Sequence, residues 1–157
     1  MRVGWGVDAH RFGGEGPTLL AGVVVDPSRG VEGTSDADVL AHAVADAILG
    51  ACALGDLGEH FPSGDPRWAG ADSMGILTEV VAMATAAGHR VVSVDATVLA
   101  ERVRVAPHRD RIRDALASTL GVDPSAVSVK ATTTDGMGFL GRDEGIAATA
   151  VVVTTPA

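Results

Sequence analysis

The chain is short of aromatic residues. Trp5, Trp68, Phe12, Phe61 and Phe139 are the only ones among 157 residues, and tyrosine is absent. A core must then be assembled mainly from Val, Ala, Leu and Ile, whose small side chains each bury little area. Apolar surface left over by such a core hints at self-association. Cys52 is the single cysteine, so no internal disulfide can form. It lies in an apolar helical run and reads as a small core residue rather than a nucleophile. Lys130 is the only lysine, and acidic side chains outnumber basic ones, 20 to 12. The net charge of −8 argues against nucleic-acid binding, which needs a basic footprint. Neither a membrane span nor a secretory leader is visible. A cytoplasmic protein is expected, with one domain over residues 1–157.

What is present is a succession of short periodic segments. Alternation predicts a strand over Arg2–His10, with Val3, Trp5 and Val7 on one face and Asp8 and His10 on the other. After the turn-rich Gly13-Gly14-Glu15-Gly16-Pro17, Thr18–Val25 reads as a second strand. Ser35-Asp36-Ala37-Asp38 approximates a capping box. It opens a helix whose apolar positions are Val39, Leu40, Ala43, Val44, Ala47, Ile48 and Ala51. Leu54–Arg67 reads as irregular. A second helix starts near Asp72 or Ser73, turns Met74, Leu77, Val80, Val81 and Ala84 inward, and ends at Gly88. Val91–Ala100 is a predicted strand. A third helix begins at Pro107, points Ile112, Ala115, Leu116 and Leu120 inward, and stops at Gly121. Val127–Thr133 follows as a strand and Asp135–Arg142 as a glycine-rich loop. The nearly all-apolar Ile146–Thr154 reads as a strand buried on both sides. Strands and helices mix without strict alternation, so the expected class is α+β: a two-layer sandwich with helices on one face of the sheet.

The first chemical constellation is Asp8-x-His10, a carboxylate and an imidazole on one strand face and so a ready pair of ligands for a metal such as zinc. His42 is the best candidate for a third ligand, with Asp46 one turn on as a partner for its ring. Such triplets are common, and a histidine on a polar helix face is usually just solvated. The second runs from Lys130 to Gly145. Thr132, Thr133 and Thr134, with a cation at each side and several glycines, can cradle phosphate oxygens, and Asp135 can hold a magnesium ion. Equally, the glycines can serve turn geometry alone. The third comprises Gly55-Asp56-Leu57-Gly58 and Phe61-Pro62-Ser63-Gly64-Asp65-Pro66, whose aspartates can accept hydrogen bonds from a polyol or simply cap turns.

Five motifs in this order are more specific than any one of them. They are G-x-D-x-H, S-D-x-D-x-x-x-H-A, G-D-x-G-x-x-F-P, A-D-S and K-A-T-T-T-x-x-x-G-F-x-G-R-x-E-G. From Arg2 to about Val152 the chain resembles the 2-C-methyl-D-erythritol 2,4-cyclodiphosphate synthases. The resemblance implies a four-stranded mixed sheet and a homotrimer with active sites between subunits. It implies one zinc ion per subunit on Asp8, His10 and His42, with an oxygen of the substrate's β-phosphate in the open position. Thr34 and Ser35 stand where the family contacts the diphosphate, and Thr34 and Thr133 occupy catalytic positions. Asp56, Leu57, Gly58, Phe61, Pro62, Ser63, Gly64 and Asp65 would hold the methylerythritol part. Ala100, Arg104, Val105 and Ala106 would frame the cytosine. Thr132, Thr133, Thr134 and Asp135 would meet the phosphates, with magnesium or manganese on Asp135. Phe139 and Arg142 match positions near a central cavity that accepts phosphorylated isoprenoids in some members.

The reaction so implied is a phosphorus–oxygen lyase step of the non-mevalonate isoprenoid pathway: the 2-phosphate attacks the β-phosphorus of a cytidine-diphosphate substrate and CMP leaves. A zinc phosphohydrolase and a catalytically weakened isoprenoid-phosphate-binding trimer are the competing readings. Five positions depart from the family pattern. Thr34 stands where histidine is usual and cannot carry positive charge. Asp135 replaces a glutamate, Ser63 an aspartate and Val103 a proline. Asp143 replaces a glycine and is expected to compete for the Arg142 guanidinium.

Overall fold

The computed structural model describes residues 1–157. Residues Arg2–Arg11 form β1, and Gly4 and Gly6 let helix α1, Val39–Cys52, rest directly on the strand backbone. A Cβ on either glycine meets the carbonyl of Ala47 or Ala43, so no side chain fits there. Asp8 and His10 share this helix-facing side. The apolar trio lies on the other one and is open to solvent in the single chain: Val3 is 65% exposed, Trp5 66% and Val7 52%.

Strands β4 (His89–Leu99), β5 (Val127–Thr132) and β6 (Gly145–Pro156) complete a mixed sheet in the order β1-β6-β4-β5. Pairing is antiparallel except between β4 and β5. Helices α1, α3 (Ser73–Ala86) and α4 (Arg109–Leu120) cover one face. The architecture is the expected α+β one, with four strands and helices on one side. The core cluster of 35 buried residues holds no aromatic side chain, and Phe12 and Phe61 only pack against it.

Five local expectations need correction. Thr18–Val25 is not one strand but a hairpin of β2 (Thr18–Leu20) and β3 (Val23–Asp26) around Ala21-Gly22. Both turn residues have positive φ, 49° and 72°, as a tight turn matched to strand twist demands. Asp38, not Ser35, caps α1 by accepting from Ala41 N; it is fully buried and also accepts from Gly22 N, tying the hairpin to the helix. The supposedly irregular Leu54–Arg67 contains α2, Leu57–His60, and the loop after Asp135 contains α5, Gly138–Gly141. Finally, β6 is not buried on both sides. Ile146, Ala148, Ala150 and Val152 lie under the helices, whereas Val151 is 39% exposed because no layer covers the back of the sheet.

Candidate metal centre

The close approach of α1 to β1 brings the helix's first turn over the end of the strand. Asp8 Oδ2 lies 3.0 Å from His10 Nε2 and 2.9 Å from His42 Nδ1. One ligand atom from each of the three residues falls within 4.8 Å of the others. The far sides of both rings are spoken for. His10 Nδ1 is 2.8 Å from the Glu32 carbonyl, which only accepts, so that nitrogen carries the proton. His42 Nε2 is 2.9 Å from Ser73 Oγ, which spends its own proton on Asp36 Oδ1. Each imidazole therefore turns a lone pair toward the same carboxylate oxygen, an arrangement that only a cation or extra protons can stabilise. Two imidazoles and one carboxylate with an open fourth direction suit zinc.

The electrostatics agree. Burial pushes the Asp8 carboxyl up, but hydrogen bonds from His10 and His42 and their charges outweigh it, holding it below the usual carboxylate range. The hydrogen bond to Asp8 lifts His10 above its ordinary value against the opposing effect of burial, with the Asp8 charge adding to the lift.

A cleft of about 240 Å³ opens beside this trio. Thr34, Ser35, Leu57, Gly58, Phe61 and Ser63 line it, together with Asp46, Trp68 and Ile76. Phe61 meets Trp68 edge to face, with ring centroids 4.9 Å apart, so one wall is apolar. Trp68 and Ile76 were not singled out in the sequence; their place in the third motif's loop and on α3 carries no chemical signal. Asp56, Pro62, Gly64 and Asp65 do not line the cleft. Asp56 caps α2 by accepting from Glu59 N, and Asp65 caps the short turn at Pro66–Trp68 and pairs with Arg67 at 2.6 Å.

A profile of the YgbB family matches residues 1–155. The chain belongs to the YgbB family. Two relatives, the 2-C-methyl-D-erythritol 2,4-cyclodiphosphate synthases of Moorella thermoacetica and Salinibacter ruber, are 52% and 55% identical to it. The first alignment covers 98% of this chain and 94% of the relative, the second 96% of each. A solved 2C-methyl-D-erythritol-2,4-cyclodiphosphate synthase in its CDP-bound form superimposes with a TM-score of 0.89 at 30% identity, over 98% of this chain and 100% of that one.

A second group of implied residues lies elsewhere in the chain. Ala100, Arg104, Val105, Ala106 and Thr132 to Asp135 lie outside the metal cleft of the same chain. Ala9, Ala147, Leu99 and Thr132 form one row across the sheet, so the two groups sit at the same end but on opposite edges. Three strand spacings separate them, roughly 14 Å. Asp135, exposed and at φ 52°, hydrogen-bonds only with Thr133, and Thr134 Oγ1 donates to Met137 O. The flanking cations are paired, Lys130 with Asp95 and Arg142 with Glu144, each at 2.6 Å. Phe139 is 46% exposed and borders a second cavity with Arg11 and Glu144.

Two expected partnerships do not form. Asp46 makes no hydrogen bond to His42; its Oδ1 accepts from Leu57 N at 2.8 Å and so fixes the start of α2. Burial raises the Asp46 carboxyl, and the charges of Asp56 and Asp8 add to the rise. Asp143 does not compete for Arg142. It takes Arg29 at 2.9 Å and Arg102 at 3.4 Å, while the Arg29 guanidinium stacks 3.5 Å from the Phe12 ring centroid.

Proposed function

We propose that this chain converts 4-diphosphocytidyl-2-C-methyl-D-erythritol 2-phosphate into 2-C-methyl-D-erythritol 2,4-cyclodiphosphate and CMP, as a phosphorus–oxygen lyase of the non-mevalonate isoprenoid pathway. The observation that carries this reading is the convergence of Asp8, His10 and His42 at the mouth of a half-apolar cleft. In the reaction an oxygen of the 2-phosphate forms a bond to the β-phosphorus. The bond from that phosphorus to the bridging oxygen breaks, and the oxygen departs with CMP. No protein nucleophile is needed. Asp8, His10 and His42 would hold zinc, which would supply a Lewis acid to neutralise phosphate charge.

The chain's own work is positioning. Thr34 and Ser35 offer hydroxyls to the diphosphate at the cleft edge, and Leu57, Phe61, Trp68 and Ile76 form the wall that folds the polyol and excludes water. Holding the two ends of one molecule together is worth roughly 7–11 kcal/mol in well-oriented systems, enough to carry much of the rate. Thr133, Thr132 and Asp135 serve the phosphates, and Asp135 would hold magnesium or manganese, which would neutralise phosphate charge. Ala100, Arg104, Val105 and Ala106 frame the cytosine; the similar structure in its CDP-bound form supports a cytidine nucleotide as ligand.

These two residue groups meet in a homotrimer, where the β5 edge of one subunit stands beside the β1 edge of the next. Their separation across the sheet and the open apolar face of Val3, Trp5, Val7 and Val151 support this assembly. Phe139 and Arg142 then face the shared axis, where an isoprenoid phosphate fits. The whole chain acts as one cytoplasmic domain; no helix is long and apolar enough to cross a membrane. The test is product analysis with zinc and magnesium supplied. Cyclic diphosphate with stoichiometric CMP is expected, and an open-chain 2,4-bisphosphate beside the CMP would mean hydrolysis instead.

A further inference from the structure

The A-D-S motif, Ala71-Asp72-Ser73, reaches the site only through the contact of Ser73 with His42. A serine at a helix start ordinarily caps it, but here Asp72 is the cap and accepts from Met74 N at 3.0 Å. That frees the Ser73 hydroxyl, which is buried at 1% exposure between His42 Nε2 and Asp36 Oδ1. A hydroxyl has one proton to give. The Asp36 carboxylate can only accept, so it receives that proton, and the Ser73 oxygen must accept from His42 Nε2–H. The proton is thereby held on Nε2, and Nδ1, 2.9 Å from Asp8, keeps its lone pair for the cation. We propose that Ser73 and Asp36 are positioning residues for the metal centre, fixing the tautomer and ring angle of His42.

The surrounding backbone is built to hold this chain of contacts. Asp36 N donates to Ala71 O at 3.1 Å, Gly70 N to Thr34 O at 2.7 Å, and Ser73 N to Asp36 Oδ2 at 3.2 Å. The loop before α1 and the loop before α3 are thus stitched together, and the stitch ends on the ligand. Ser35 Oγ lies farther from His42 Nε2, at 3.3 Å, and gives a secondary contact. Partners of this kind typically contribute 10–100-fold to metal affinity by orienting the ligating ring.

The proposal rests on the zinc reading of the site, and the test separates the two. Zinc affinity is measured by competition with a chelating indicator for the full-length wild type, Ser73→Ala, Asp36→Asn and Ser73→Thr. In parallel, exchange of the His42 Nε2-bound proton is followed by NMR in the zinc-loaded proteins. Ser73→Ala and Asp36→Asn should weaken zinc about 10–100-fold and speed that exchange, with Ser73→Thr restoring most of both. Wild-type affinity and wild-type proton protection in Ser73→Ala would overturn the proposal alone. A wild type that takes up no divalent cation would overturn the zinc reading and this proposal with it.

Discussion

Replacing Gly6 by alanine should uncouple the metal centre without touching any of its ligands. A Cβ at Gly6 would sit 2.7 Å from Ala47 N, and closer still to Ala43 O, where ordinary contact begins near 3.4 Å. Taking 2.7 from 3.4 Å, α1 must retreat by at least about 0.7 Å, because both obstacles are helix backbone that cannot rotate aside. His42 rides on that helix while Asp8 and His10 ride on β1. Metal–ligand distances tolerate only about 0.2 Å, so the same retreat pulls one ligand out of range. Overpacking of this kind costs roughly 1–3 kcal/mol of stability. Gly50 on the same helix has nothing within 4 Å of a Cβ, so Gly50→Ala is the control. It should be neutral or stabilise the helix by about 0.5–1 kcal/mol. Zinc content of the purified proteins and thermal unfolding give the readout. Gly6→Ala with full zinc and a native melting temperature would refute the claim that helix–strand spacing sets the site.

His42→Ala should lose bound zinc and CMP release while sedimentation still reports the proposed trimer; retained zinc stoichiometry would contradict the ligand set. Thr34→His should raise turnover if an imidazole at the cleft edge adds charge stabilisation that threonine cannot, and steady-state kinetics will show an unchanged kcat if the enzyme has compensated elsewhere. The metal-free protein should have its own pH signature. His10 is lifted above 6.5 by its bond to Asp8, so its contribution is complete below that pH and fades as pH rises through the raised value. Asp8 is depressed below 3.8, so its contribution holds above that pH and fades on acidification. Melting temperatures of the stripped protein should therefore fall as pH rises past 6.5 and through the raised His10 value. Zinc affinity should rise over the same range, because the ion displaces those protons.

The metal trio was legible because it obeys simple periods. Asp8 and His10 are two apart on a strand, and His42 sits on the polar side of a clear helical pattern. Helix boundaries near Ser73, Gly88 and Gly121 were readable from caps for the same reason. What escaped the sequence involved partners chosen by the fold. Asp46 is spaced correctly for His42, yet the backbone N–H of Leu57 competes for it and wins. Asp143 finds Arg29, 114 residues away. Ala21 is an unusual residue for a left-handed turn, so the hairpin looked like one strand. The back of β6 was called buried because its apolar run carries no sign of which side lacks a helical layer.

The two imidazoles of the centre are anchored by different kinds of atom, and that gives them unequal resilience. His10 leans on the carbonyl of residue 32, whose own N–H donates to Arg11 O at 2.8 Å. Any amino acid except proline supplies that pair of groups, so the glutamate can drift freely. His42 depends on the hydroxyl and carboxylate of two particular side chains. Random mutagenesis should therefore leave position 32 permissive and find positions 36 and 73 intolerant, though both imidazoles face the same Asp8 oxygen.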